Sequence, residues 1–318
     1  VLYDNTNGLP TSEANAIAET SEGFIWIGSY SGLIRYDGNT FERMDSTNGI
    51  ASVVSLFVDS KDRLWIGTND SGAYLMEEGE FTPFKKDEGL RSLSVRAFSE
   101  DDEGNVYIAT TKGVCVYHED GSVSFINDKE IADAYVWELN AGPEGVIYGN
   151  TNNNEVFTIE HCKVTSFYKA EDLGLDDATC VTPDMNNKGK VYIGTEDSSV
   201  VYGTLADKFS DAVSTDIGPL VYCKSITELE GQVWVTTDNG IAIIKNGKAT
   251  ILEDLPMTHS IDQIMTDYEG NVWFTSSRQG VMKIVRNRFL DIFDKYGLEP
   301  TVVNSTCRSQ DQLFIGTD

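Results

Sequence analysis

Basic residues are scarce in this chain. Lys and Arg number 24 against 51 Asp and Glu, a formal net charge of −27 over 318 residues. Such a surface repels phosphate backbones and anionic lipid, which argues against nucleic acid and direct membrane contact. Cysteine is scarcer still. Cys115, Cys162, Cys180, Cys223 and Cys307 form no CxxC pair and no regular spacing. They read as small buried hydrophobes, not as a disulfide framework. No apolar run approaches the roughly 18 residues of a membrane span. The chain opens at Val1 inside a strand-like stretch, without a signal peptide, so the natural start is expected to lie upstream.

The signatures of catalysis are also missing. There is no G-x-S-x-G elbow, no H-E-x-x-H, no P-loop and no G-x-G-x-x-G. The three histidines, His118, His161 and His259, share no position relative to one another in the pattern described below. Runs of acid such as Asp176-Asp177 and Glu253-Asp254 read as solvated turns, and no loop has the D-x-D-x-D-G order of a calcium site. The expectation is a domain with no catalytic residue, no metal and no cofactor.

What the sequence does have is a repeat. A turn, an aromatic within a β-branched run, a polar loop, then a glycine and an aliphatic recur from end to end. The phrase reads GFIWIGSYSGL at 23–33, DRLWIGTNDSGA at 62–73, GNVYIATTKGV at 104–114 and GVIYGNTNNNEV at 145–156. It returns as GKVYIGTEDSSV at 189–200, GQVWVTTDNGI at 231–241, GNVWFTSSRQGV at 270–281 and, in part, QLFIGTD at 312–318. Its aromatics, Trp26, Trp65, Tyr107, Tyr148, Tyr192, Trp234, Trp273 and Phe314, recur about every 41 residues, the range of propeller blades. Each unit reads as four strands, labelled a to d. In the first, a lies near 14–20, b at 24–28, c at 33–36 and d at 41–44, with Asp37-Gly38 supplying a tight turn.

The fold class is therefore all-β: a propeller of four-stranded antiparallel blades. Stacking buries the blade faces and ring closure protects the edges. The eight aromatics are expected in the core between blades. Phe81, Phe125, Phe167 and Phe289 are expected to open strands d. Residues 1–9 resemble 289–298, a strand d with its exit turn, so residues 1–8 are expected to close the ring on the last blade. The domain is placed at 1–300 with seven blades, eight remaining open. Residues 301–318 either complete an eighth blade or begin a second propeller, the reading preferred.

The stretch FIWIGSYSGLIRYDGNTF, preceded by NGLPTSEANAIAETSEG, resembles the two-component regulator propeller repeat. The resemblance is strongest at 23–41, 63–84 and 270–284. It weakens in the fourth and fifth units, where Gly149-Asn150 and Ser198-Ser199 replace the usual residues. It implies the extracytoplasmic, periplasmic or extracellular, ligand-sensing part of a membrane-anchored receptor, many of whose relatives respond to oligosaccharides. It also implies a histidine kinase or diguanylate cyclase output elsewhere in the protein. Implied partners are a small-molecule or oligosaccharide ligand, a second propeller and an immunoglobulin-like domain of the same chain, and a homodimer. Two rivals stand beside it: a protein-interaction propeller with no small-molecule site, and a lyase of the streptogramin type. The phrase G-x-[LIV]-W-[FV]-T at 231–236 and 270–275 fits that lyase, which would need a catalytic histidine, for which His259 is the candidate. Asp267 to Trp273 resembles the structural Asp-box turn of sialidases.

By analogy with other propellers, a ligand would meet the mouth of the central channel, where the b–c loops and the starts of strands a converge. The b–c loops offer Tyr30, Lys112, Asn153, Asp238 and Arg278. The starts of strands a offer Asn15, Arg96, Tyr135, Trp137, Tyr222, Lys224 and Asp262. Trp137 beside polar groups is the arrangement that stacks a sugar ring. The candidate ligand residues are Tyr30, Arg96, Lys112, Tyr135, Trp137, Asn153, Asp238, Asp262 and Arg278.

Overall fold

The computed structural model describes residues 1–44, 50–206, 209–285, 292–299, 301–309 and 312–317. It divides into two units, Val1–Ile284 and Val285–Asp318. The first is a seven-bladed propeller of four-stranded antiparallel sheets. The innermost strands a are Ala16–Glu19, Val53–Val58, Val95–Glu100, Val136–Ala141, Cys180–Pro183, Cys223–Leu229 and Ile261–Thr266. In blades one to six, four consecutive strands make the sheet. Blade seven takes its outer strand from the chain start, where Leu2–Tyr3 pairs antiparallel with Gly280–Ile284 in the register Leu2 to Met282.

Seven hydrophobic cores hold the ring, one between each pair of neighbouring blades. A small twisted sheet cannot bury two faces alone, and each core is built from the facing sides of two blades. The strand-b aromatics enter these cores: Trp65 and Trp273 are fully buried, and Trp26, Tyr107, Tyr148 and Trp234 nearly so. Tyr192 is only partly buried, with its ring 4.5 Å from that of Tyr202. Phe314 departs from the expectation. It is 54% exposed, on a hairpin that among the described residues pairs as a sheet of two strands.

A buried indole needs an acceptor for its N–H, and the a–b turn six residues upstream provides one. Asp267 Oδ2 accepts from Trp273 Nε1 at 2.8 Å while Oδ1 accepts the Asn271 amide. Asp59 does the same for Trp65, at 2.9 Å, and for the Arg63 amide. Asp101 accepts from the Tyr107 hydroxyl at 3.0 Å, and Thr20 from Trp26 at 3.2 Å. The Asp267 to Trp273 turn is thus structural. Blade six has no such turn, and Trp234 Nε1 is buried without an acceptor.

Ring closure joins blade seven to blade one. The amide of Tyr268 donates to Glu19, the amide of Ile17 to Gln263, and the Val1 amine to the Lys283 carbonyl. Tyr3 packs among Phe41, Tyr36 and Trp273, at centroid distances of 5.1, 6.2 and 6.2 Å. Gly280, at φ +82°, makes this close approach: a Cβ there would lie 2.2 Å from the Tyr3 carbonyl oxygen.

The weak fourth repeat is compensated by its neighbours. A Cβ at Gly149 would lie 2.4 Å from the ring of Phe157, which fills that space. Asn150, nearly fully buried, reaches across to the Thr179 carbonyl of blade five at 2.9 Å. Strands d carry Phe81, Phe125 and Phe167, although Phe125 ends its strand and Phe167 lies mid-strand. Phe289 lies outside the described residues. Part of the stretch read as a strand d, Ile292–Tyr296, is instead a short helix, because blade seven has already taken Leu2–Tyr3 as its outer strand. The second unit also holds the hairpin Val303–Ser309 with Gln312–Thr317.

Two outcomes test these contacts. Trp273→Phe should destabilise the propeller by about 1 to 3 kcal/mol more than Trp234→Phe, because only the first removes a hydrogen bond to a buried carboxylate. Equal losses in urea titrations would show that the carboxylate adds nothing. Removing residues 1–7 should cost about 2 to 4 kcal/mol, since Tyr3 and its neighbours lose their cover. Unchanged equilibrium unfolding would remove the chain start from the closure.

Candidate functional site

The strands a do not run evenly. In five blades the pairing of a with b skips one residue: between Val53 and Ser55, Val95 and Ala97, Val136 and Glu138, Cys223 and Ser225, and Ile261 and Gln263. The skipped residues are Val54, Arg96, Trp137, Lys224 and Asp262. A bulge leaves one residue out of the ladder and re-aims its side chain. All five line a single cavity of about 870 Å³ at the ring centre, bounded by strands a of six blades and, in blade five, by Thr179 just before its strand a.

Of the residues expected at the mouth, Tyr30, Arg96, Trp137, Asp238, Asp262 and Arg278 line this cavity. Trp137 and Tyr30 are about half exposed, at 49% and 52%. Tyr135 is not on the wall but stands beside it, its ring 5.5 Å from that of Trp137. Lys112 and Asn153 do not join the set. Each sits in a b–c turn, its amide donating to Thr110 or Thr151 Oγ1, and neither lines the cavity. His259 is exposed and bonds to Thr258, outside the cavity wall.

Arg96 spans three blades. Its Nη2 donates to Asn69 Oδ1 and Ser94 Oγ, both at 2.8 Å, and its guanidinium lies 5.3 Å from the Tyr135 ring centre and 5.9 Å from that of Trp137. On another part of the wall, Lys224 Nζ meets Asp262 at 2.7 Å and Asp238 at 3.0 Å. Burial lowers the Lys224 ammonium, but the charges and hydrogen bonds of Asp262 and Asp238 more than reverse this and hold it above its ordinary value.

Glu138 is the residue that sequence reasoning missed. It follows the bulge at Trp137 and lines the cavity. Strict alternation gives it no reason to be there, because the bulge shifts the parity. The signal was a carboxylate where other blades carry Ser55, Ala97, Ser225 or Gln263. Glu138 Oε2 accepts the Val181 amide of blade five at 3.2 Å, as Gln263 accepts the Ile17 amide of blade one. Part of its surface faces the cavity, yet protein surrounds it. Burial pushes its carboxyl up to about 7, and hydrogen bonds with Asn140 and Val181 offset only part of that.

The family model of the two component regulator propeller matches residues 8–31 and 49–70, which cover strands a and b of blades one and two. Those two stretches are similar to the two-component regulator propeller repeat. Among curated proteins none matches it in sequence. Solved structures resemble this chain in fold. One is the extracellular domain of a protein named as a hybrid two component system, BT3049 from B. thetaiotaomicron. It is 18% identical with a TM-score of 0.71, and the alignment covers 99% of this chain and 46% of that one. A second is the extracellular domain of BT4673 from the same organism, named as a one component system, at 17% identity and TM-score 0.69, covering 95% and 42%. A third is a virginiamycin B lyase from Staphylococcus aureus solved with quinupristin, at 14% and 0.72, covering 85% and 94%. The chain therefore spans under half the length of these two extracellular domains.

The raised Glu138 carboxyl has a sign that can be checked. Its folded pKa lies above the unfolded value, so the folded state binds the extra proton between the two. The resulting stability is present below about pH 4.5 and is lost as pH rises towards 7. Glu138→Gln should therefore gain on the wild type by about 1 to 3 kcal/mol between pH 5 and 8, measured by urea titration. Parallel pH profiles would mean that Glu138 titrates as an ordinary carboxylate.

Proposed function

We propose that this chain is a ligand-sensing propeller from the extracytoplasmic part of a membrane-anchored signalling receptor of the two-component type. Its ligand, a small molecule or oligosaccharide, would sit at the cavity mouth. The observation that carries the reading is the set of bulges. Inner strands of unrelated loop sequence each turn one side chain towards the same mouth, and four of the five are Arg96, Trp137, Lys224 and Asp262. An aromatic face ringed by polar groups is what a sugar needs: stacking for the ring and partners for the hydroxyls. The matched repeats and the sensor domains of similar fold support the receptor context.

The hairpin of the second unit supports a longer receptor. Its pairing skips a residue between Val303 and Ser305, as strands a and b do in five blades. We read residues 301–318 as the first two strands of a further blade, belonging to a second propeller. The lyase reading keeps the fold likeness, but the histidine it would need, His259, is not on the cavity wall.

A thermal-shift screen of oligosaccharides tests the reading, because a ligand that binds only the folded chain raises its melting temperature. Trp137→Ala should weaken the best hit by roughly fivefold, about 1 kcal/mol for a lost stacked ring, at an unchanged melting temperature without ligand. Unaltered affinity by calorimetry would place the site away from the mouth. Release of a product would overturn the sensor reading.

A further inference from the structure

Several cations of this chain are held by its acids. Arg63 is held by Asp59, Lys283 by Asp267 and Glu269, and Lys224 by Asp238 and Asp262. Arg96 and Arg278 are different. Both line the cavity, and neither has a carboxylate within ion-pair distance among the described residues. Other cations also lack an ion pair, but these two face one cavity. Arg96 is also fixed in place. Two hydrogen bonds from Nη2 and two aromatic rings beside it set its orientation, while its Nε is buried with no acceptor. An oriented cation that lacks an anion has already lost much of its side-chain freedom, so an incoming anion meets a smaller ordering cost.

Next to this cation stands the half-exposed indole of Trp137. Elsewhere on the wall, Asp238 and Asp262 present carboxylates that accept hydroxyl groups and repel a polyphosphate. We propose that the mouth takes an anionic sugar, with a ring face on Trp137 and a carboxylate or sulfate group on Arg96, and with Arg278 as a second anchor for charge. The inference rests on the mouth being the ligand site and adds the charge class of the ligand. Tyr135 serves as a positioning residue, since it packs against both Arg96 and Trp137 without lining the cavity.

Calorimetry with short oligosaccharides of three kinds tests this: uronic acid oligomers, sulfated oligomers, and neutral oligomers of matching linkage, with inorganic sulfate as a fourth arm. The acidic sugars should bind about tenfold or more tighter than neutral ones, and added salt should weaken the acidic class alone. Arg96→Gln should erase that preference, Arg96→Lys should keep part of it, and Trp137→Ala should weaken acidic and neutral sugars alike. The uronate and sulfated arms tell which anion is preferred. If Arg96→Gln alters the fold, as read by its melting temperature, the salt dependence and Arg96→Lys carry the test. Neutral sugars binding as tightly as acidic ones, or a preference that survives Arg96→Gln, would overturn the charge class and leave the mouth as the ligand site. Inorganic sulfate binding as tightly as the acidic sugars would overturn the role of the ring. No binding in any class would overturn both the charge class and the mouth.

Discussion

The structure depends on a constraint that no single blade can meet: a four-stranded sheet has two faces to cover and no second layer of its own. The strand-b aromatic answers it by entering the core shared with the next blade. For Trp65 and Trp273 that burial is tolerable because a carboxylate in the preceding turn accepts the indole N–H. The same carboxylate ties down turn amides, so one side chain fixes both the hairpin and the position of the aromatic. Burial alone would raise the Asp267 carboxyl, yet the hydrogen bonds from Trp273 and Asn271, with Lys283 nearby, hold it below its ordinary range. It is a charged acceptor at the blade interface, stronger than a neutral one.

With the blade interfaces secured from that side, the channel side is free to vary. Polar side chains there still lace neighbouring blades. Asn15 donates to the Val53 carbonyl, Asn140 to that of Val181, and Thr179 to that of Cys223. The bulges sit beside these laces and cost the ladder one residue each. What they gain is a side chain aimed at the mouth and released from the ladder, free to bond across blades as Arg96 and Lys224 do. This explains how Val54, Arg96, Trp137, Lys224 and Asp262 occupy equivalent places with no chemistry in common.

Much of this was legible in the sequence, for a physical reason. Interfaces between like blades impose like residues, so the period of the aromatics gave the blades, and the likeness of residues 1–9 to an outer strand gave the closure that Leu2–Tyr3 makes. What was illegible was whatever depends on register. A bulge leaves no mark in composition, so Glu138 was passed over and its twin Gln263 with it. Lys112 and Asn153 share the loop position of Tyr30 and Arg278, yet do not line the cavity. Phe314 matched the pattern of a core aromatic, yet a pattern cannot show whether the strands that would cover it are at hand.

The electrostatics of the mouth follow from the same division of labour. A surface of net charge −27 creates a field that draws cations and turns anions away. At the mouth that field is locally reversed only where the guanidiniums of Arg96 and Arg278 escape pairing; at Lys224 two aspartates hold the local balance on the acidic side. Any anion that reaches the mouth therefore arrives against the outer field and is retained by short-range contacts within a sheltered cavity, where charge-assisted hydrogen bonds are stronger than at an open surface. Such a site admits a singly charged group carried on a neutral, hydroxyl-rich body more readily than a compact polyanion, because only the first presents the walls of this cavity with more hydroxyl than charge.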